Sequence, residues 1–404
     1  MYDLLGGLTI IEASSFVASP SAGLYLAQMG AEVIRIDQIG GGPDFRRWPR
    51  AVNGASLYWE NLNRAKKSVA LDLTRPQGRE LMQALAASTG QFLTNFPADG
   101  FLSHAAVAAH RADLITVRIM GQAGGGPALD YTVNAAVGIP YLTGPASLGD
   151  APVNHVLPAW DLLTGAYAAF ALMTALHHRR ASGIGGEVRI PLADVAIASL
   201  ANLGMVAEVA GAGQDRERLG NTVYGAFGCD FTTADGQRLM IMAITPRQWR
   251  GLVAVLGIAD AVAAIETTRG TNFDSDEGLR FTHRDALFPL IETTVSHRNH
   301  TELTTALAAN GCCFGAYQTL RDAVSDPDLV AANPIFAATG RNPSTLDYPA
   351  AGAPATIPAA QRRPPRAAPA LGADTDAILE RLLGLSAAAI GTLHDNGIIG
   401  GLAA

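Results

Sequence analysis

Leu8-Thr9-Ile10-Ile11-Glu12-Ala13-Ser14-Ser15-Phe16-Val17-Ala18-Ser19-Pro20, followed after nine intervening residues by Gly30-Ala31-Glu32-Val33-Ile34-Arg35-Ile36-Asp37, decides the fold of this chain. Leu8–Glu12 predicts a short strand, Pro20–Met29 a helix stopped by Gly30, and Ala31–Asp37 a second strand. Such a βαβ unit, with an acid ending its second strand, is the opening of nucleotide-binding folds. The turn from Ala13 to Pro20 contains no glycine. The glycine-rich fingerprint of dinucleotide folds is therefore absent, which argues against a nicotinamide or flavin oxidoreductase.

Working outward, alternation continues with a strand at Ser68–Leu71, a helix at Pro76–Ala87, and strands at Gln91–Asn95 and Leu114–Ile119. The first half reads as α/β with a largely parallel sheet. Gly121–Pro127 is a flexible loop. Beyond it come a helix from Pro158 to Arg180, a strand at Glu187–Pro191 and a helix from Leu192 to Ala210. Gly211–Gly228 is glycine-rich and polar, and Asp235-Gly236 marks a hairpin turn. A Pro- and Ala-rich connection spans Asn333–Pro369, and a last helix is expected at Asp374–Leu383. These breaks divide the chain into 1–210, a smaller domain at 225–328, and a return at 329–404.

Composition bounds the function. With 404 residues, 49% of them hydrophobic and 16% charged, the chain has the material for a large core. Its net charge of −7 argues against a general nucleic-acid binder. From Arg35 to Arg79, however, nine basic residues face four acids, and Lys66 and Lys67 are the only lysines in the sequence. That local excess suits a small polyanionic ligand or an ordinary solvated surface. The three cysteines (Cys229, Cys312, Cys313) offer neither a disulfide framework nor metal spacing. No basic and apolar leader pattern opens the chain, and the apolar run at 162–176 is short for a membrane span. A cytoplasmic protein with no membrane or nucleic-acid partner is expected.

One acid stands out. In His155-Val156-Leu157-Pro158-Ala159-Trp160-Asp161-Leu162-Leu163-Thr164-Gly165, proline is tolerated in a first helical turn. The run after it is apolar nearly all round, the pattern of a buried helix. Asp161 would sit in the positive field of the helix N-terminus, which favours the ionised form. A partly desolvated carboxylate can attack an activated carbonyl. The same acid can equally do no more than complement its helix.

Read together, several stretches resemble the class III CoA-transferase family (CaiB/BaiF type). They are Gly30–Asp37, Leu62-Asn63-Arg64-Ala65-Lys66-Lys67-Ser68-Val69-Ala70-Leu71-Asp72-Leu73, Thr94-Asn95-Phe96, Asp161 with Gly165, Gly220-Asn221, Asp235-Gly236 and Leu371-Gly372-Ala373-Asp374-Thr375. Each is weak alone; their order over some 345 residues is specific. The resemblance implies an α/β fold: a Rossmann-like large domain completed by the C-terminal tail, a smaller α+β middle domain, and a homodimer of interlocked chains. It implies an enzyme in which Asp161 is the nucleophile toward an acyl-CoA, with no metal and no cofactor beyond the CoA that the substrate carries.

By position, Phe16, Val17 and Ala18 match the family's CoA-contacting turn, and Gln38, Leu71, Asn95 and Phe96 match positions around adenine and ribose. Two basic residues common in the family are Gln38 and Thr74 here. Phosphate contacts would then fall to Arg46, Arg47, Arg64, Lys66, Lys67 or Arg75, among which the sequence does not choose.

The family's α-methylacyl-CoA racemases carry His-Asp just before the equivalent of Tyr131. Leu129-Asp130 stands there instead, which weakens that reading and leaves Asp130 as a possible helix cap. Gly40–Pro49, Asp130–Asn134, Val153–Asp161 and Asn221–Gly228 are most similar to members that move CoA between the two carboxyls of one unsaturated C5 dicarboxylate. Holding the idle carboxylate would fall to Arg47 and His155, which can make charge-assisted hydrogen bonds. Tyr224 and Gly225 would lie in a closing loop. Transfer to a separate free acid, or acyl-CoA binding without catalysis, remain the alternatives.

Overall fold

The structure is a computed structural model that describes residues 1–401. The chain separates into two compact units: residues 1–137, 155–211 and 327–404 form the first, and 138–154 with 212–326 form the second. The stretch 138–154 thus leaves the large domain in which the sequence reading had placed it.

The first unit is built on β1 (Thr9–Ala13), β2 (Glu32–Gln38), β3 (Lys67–Leu71), β4 (Gln91–Thr94), β5 (Ile115–Met120) and β6 (Gly186–Pro191). The sheet order is β3-β2-β1-β4-β5-β6, and the late strand Ile399–Gly400 flanks β3. All pairs are parallel except that last one, where Ile399 faces Leu71 in antiparallel register. This is the doubly wound order, whose connections reverse between β1 and β4 and leave a crevice at the strand C-termini.

The helices that matter to the crevice are α1 (Ala18–Gln28), α2 (Leu57–Leu62), α3 (Pro76–Thr89), α4 (Asp130–Ala136) and α5 (Ala159–Ser182). Both sheet faces are covered. One carries Ile11, Ile34, Val69, Met82 and Phe92 with Ile378 and Leu379 from the C-terminal tail. The other carries Ile10, Leu26, Val33, Val117, Leu172 and Ile190. Burial on two faces explains why the strands read as apolar runs rather than alternating ones. The tail adds both a core helix, Thr375–Leu383, and an edge strand.

Three sequence expectations are corrected here. α5 is buried on one side only: Ala168, Leu172 and Leu176 are in the core, while Leu163, Tyr167 and Phe170 are exposed on this chain. At 24 residues α5 is also long and apolar enough to cross a membrane by length and composition alone; its inner side instead packs with α1 in the sheet-covering core. The helix expected over 192–210 breaks into Leu192–Asn202 and Met205–Ala212, bent by 70°, because Gly204 takes a left-handed φ of +79°. Finally, the chain does not end on Thr375–Leu383; a further helix, Ala387–Asp395, precedes the edge strand.

The second unit has its own core of Phe227, Ile241, Trp249, Phe273, Leu287 and Leu307. Its sheet is antiparallel, with Phe227–Thr232 and Cys313–Ala316 on either side of Arg238–Ala243. The hairpin turns at Asp235-Gly236, where Thr233 Oγ1 donates to Asp235 at 2.6 Å.

Candidate active site

The crevice is closed from both sides by one amide. Asn95, after β4, accepts from the Ser15 amide at 3.1 Å and donates to the Ser15 carbonyl at 2.8 Å. The two loops at the switch point are thereby tied together. Phe16 follows with a left-handed φ of +68°, which a bulky residue adopts only when its surroundings hold it there. Its amide donates to Asp44 Oδ2 at 3.3 Å. Asp44 is itself held by Arg35, whose guanidinium also reaches Glu12 and Asp37 within this buried cluster. Val17 and Ala18 then open α1, so the expected CoA turn lies at the mouth of the crevice.

α5 reaches this turn through Gly165. A Cβ there would come within 2.1 Å of Ser21 Oγ and 2.6 Å of the Ala18 carbonyl, so only glycine lets α5 cross α1 at this depth. Asp161 sits one turn earlier. Its carboxylate is pushed up to about 6, chiefly by burial and then by the charge of Asp130, against the pull of Arg47. The helix-terminus argument pointed the other way. Burial and the like charge of Asp130 outweigh it, and Asp130 Oδ2 also accepts the α5 amides, from Trp160 at 2.7 Å and Asp161 at 3.0 Å. Asp130 is thus a cap, but of α5 and not of the helix it begins.

His155 closes the arrangement. Its Nε2 lies 2.8 Å from Asp130 Oδ1, and Trp160 Nε1 donates to Asn134 on α4 at 3.1 Å. Asp130, which follows Leu129 and not a histidine, thus meets an imidazole from 25 residues further along the chain. Arg47 stacks over Phe16 and Tyr58, its guanidinium carbon 5.3 and 5.0 Å from their ring centres. Tyr58 went unnoticed in the sequence. Its buried hydroxyl has no hydrogen-bond partner, and burial pushes it up to about 12, with the charge of Asp161 adding to the effect. Nothing in Leu57-Tyr58-Trp59 marks it; an aromatic at a helix start is ordinarily packing.

The residues expected around adenine and ribose line two cavities. Gln38, Leu71 and Phe96 line one cavity of about 560 Å³ with Thr74, Arg79 and Phe101. Asn95 and Phe96 line a second, of about 800 Å³, which runs past Gly121–Gly126 to Leu129. Arg79 was not among the candidate phosphate cations. It lies over Phe101 at 5.1 Å and donates to the Leu73 carbonyl at 2.8 Å.

The lysines, by contrast, are placed elsewhere. Lys66 is fully enclosed, with Nζ on Glu12, Pro20 O and Asn63 Oδ1 at 2.8 Å or slightly more. Lys67 pairs with Glu32 at 2.9 Å. It starts the strand that Leu71 ends, about 13 Å away at the usual rise per residue. Neither lysine lines the cavity of Gln38, Leu71 and Phe96.

Tyr224 and Gly225 belong to the second unit. There Arg216 lies 3.8 Å over the Tyr224 ring, and Gly225 has φ +77°. Among the described residues no group of three or more His, Cys, Asp or Glu side chains is arranged to hold a metal ion.

Comparison with known proteins gives the family. Residues 5–375 match the model of CoA-transferase family III. The chain is 44% identical over 407 residues to 2-methylfumaryl-CoA isomerase of Chloroflexus aurantiacus, covering 99% of each. It is 30% identical to succinate–glutarate CoA-transferase of Agrobacterium fabrum, covering 81% of this chain and 83% of that one. Among solved structures, a CAIB/BAIF family protein from Brucella suis superposes with a TM-score of 0.76 at 25% identity, covering 95% of this chain and all of that one. A glycine-free turn after β1, a carboxylate at the head of α5 and this likeness over the whole length lead to one statement: the chain is an enzyme of CoA-transferase family III.

Proposed function

We propose that the enzyme moves CoA between the two carboxyls of a single unsaturated C5 dicarboxylate, converting 2-methylfumaryl-CoA to 3-methylfumaryl-CoA. The observation that carries the chemistry is Asp161, a half-buried carboxylate beside a guanidinium, to which no described side chain or amide donates a hydrogen bond. The choice of acyl group rests on the likeness to the Chloroflexus isomerase.

Asp161 attacks the thioester carbonyl; the C–S bond breaks, giving a mixed anhydride and CoA thiolate. The thiolate attacks the aspartyl carbonyl, the anhydride C–O bond breaks, and free dicarboxylate remains beside an aspartyl-CoA thioester. The other carboxylate then attacks that thioester and expels CoA thiolate. Attack of the thiolate on the substrate carbonyl forms the product and frees Asp161. No proton or electron is consumed, and four acyl transfers replace one difficult exchange. Arg47 holds the idle carboxylate in this reading. The exposed Leu163, Tyr167 and Phe170 on α5 would be covered in a homodimer, and a cytoplasmic location suits the CoA pool on which such a reaction draws.

Incubation of the enzyme with 2-methylfumaryl-CoA and isotopically labelled free mesaconate, read by mass spectrometry, tests the proposal. Unlabelled 3-methylfumaryl-CoA is the expected product. Labelled product would make the reaction intermolecular, and no product would discard the acyl group. An Asp161→Ala enzyme that still turns over would overturn the nucleophile assignment.

A further inference from the structure

An acid in the first turn of a helix ordinarily folds back on the helix and accepts its free amides. A carboxylate so engaged has its lone pairs committed and is a poorer nucleophile. At α5 those bonds are made by a different residue. Asp130, 2% exposed, accepts the Trp160 and Asp161 amides on Oδ2 and the His155 imidazole on Oδ1. Pro158, at the N-cap, offers no side-chain cap, and no hydrogen bond reaches the Asp161 carboxylate from the described residues.

We infer that Asp130 and His155 form a positioning pair for the nucleophile: Asp130 caps α5 in place of Asp161, and His155 holds Asp130 to that task. The inference rests on Asp161 being the nucleophile. The pair fixes the backbone of Asp161 through its amide, so the carboxyl carbon keeps its place while it passes from carboxylate to anhydride to thioester. It also leaves both Asp161 oxygens uncommitted.

Tyr131 and Trp160 flank the imidazole, with ring centres 6.0 and 6.2 Å away, and Tyr131 Oη anchors the same segment on the Val156 carbonyl at 3.0 Å. The charged or titratable groups that act on Asp161 are Asp130 and Arg47, while Tyr58 in turn feels the charge of Asp161. A His155 cation or a neutral His155 donating from Nε2 serves equally, since each gives Oδ1 a donor.

The experiment is the pH–rate profile of Asp130→Asn, His155→Ala and His155→Gln beside wild type, with Asp161→Ala as reference. Asp130→Asn keeps an acceptor for the amides but removes the charge. Its acidic limb is expected to move to lower pH by about one unit. His155→Ala should lower kcat roughly 10- to 100-fold with KM changed less than threefold, because the chemical step and not binding is disturbed. His155→Gln, which keeps a donor, should recover most of that loss.

An Asp130→Asn profile superimposable on wild type, or equal impairment in His155→Gln and His155→Ala, would overturn the pair. If His155→Ala does not fold, the Asp130→Asn shift and the activity of His155→Gln decide by the same criteria. Turnover by Asp161→Ala would instead remove the nucleophile on which the inference stands, a result separable from any of these.

Discussion

The backbone amide of Asp161 donates to Asp130 Oδ2 at 3.0 Å, so two carboxylates share one helix start with a single set of amides between them. The acid that gains the amides is the cap. The other is left partly desolvated beside a like charge, and its affinity for a proton rises.

The nucleophile must be ionised, and its carboxyl is pushed up to about 6. kcat/KM for the acyl-CoA should therefore be flat above about pH 7 and fall tenfold per pH unit below about 6. A profile with its acidic limb near 4 would contradict the field of Asp130.

The same shift has a stability consequence. An acid whose folded value lies above its unfolded one makes stability fall as pH rises between the two, here from about 4 to about 6. Above that window the full penalty persists. Asp161→Asn should abolish turnover, by roughly a thousandfold or more. It should also raise stability at pH 8 by about 1–3 kcal/mol, read as the urea midpoint. A midpoint below that of wild type would show that the charged form is stabilised instead.

Arg79 lies in the cavity that Gln38, Leu71 and Phe96 line, and one face of its guanidinium lies over Phe101. Arg79→Ala should raise KM for the acyl-CoA about tenfold with little change in kcat. KM for the matching acyl-pantetheine ester, which lacks the nucleotide, should not move. Equal effects on both esters would place Arg79 outside nucleotide recognition.

Lys66 answers the buried charge of Glu12. Lys66→Met should lower stability by about 3 kcal/mol, since it leaves a buried carboxylate short of its partner. The folded fraction should keep its KM for acyl-CoA. A KM rise without loss of stability would restore Lys66 as a CoA contact.

Gly165 is the contact point of α5 with α1. Gly165→Ala forces those helices apart and should cost about 1–3 kcal/mol. kcat should fall with it, because the same crossing fixes the helix that carries Asp161. Unchanged kcat and midpoint would mean that the helices accommodate the methyl group.

What the sequence determined by itself was local. The alternation of apolar runs and helical stretches sets the doubly wound sheet, because strands buried on two faces must be continuously apolar. Asp161, Gly165, Asn95 and Phe96 stood out through the resemblance of their segments to the family's, and the structure puts Asn95 between the switch-point loops and Gly165 at the α5–α1 crossing. The tertiary structure decided whatever depends on segments distant in sequence. The one-sided burial of α5 follows from how little of the chain packs on its outer face. The fates of Lys66 and Arg79 follow from where each side chain points at its strand or helix end, a direction that composition does not contain. The reversal at Asp161 belongs to the same class. The field of the helix N-terminus is outweighed by burial and by the charge of Asp130, 31 residues earlier, which also accepts the Trp160 and Asp161 amides.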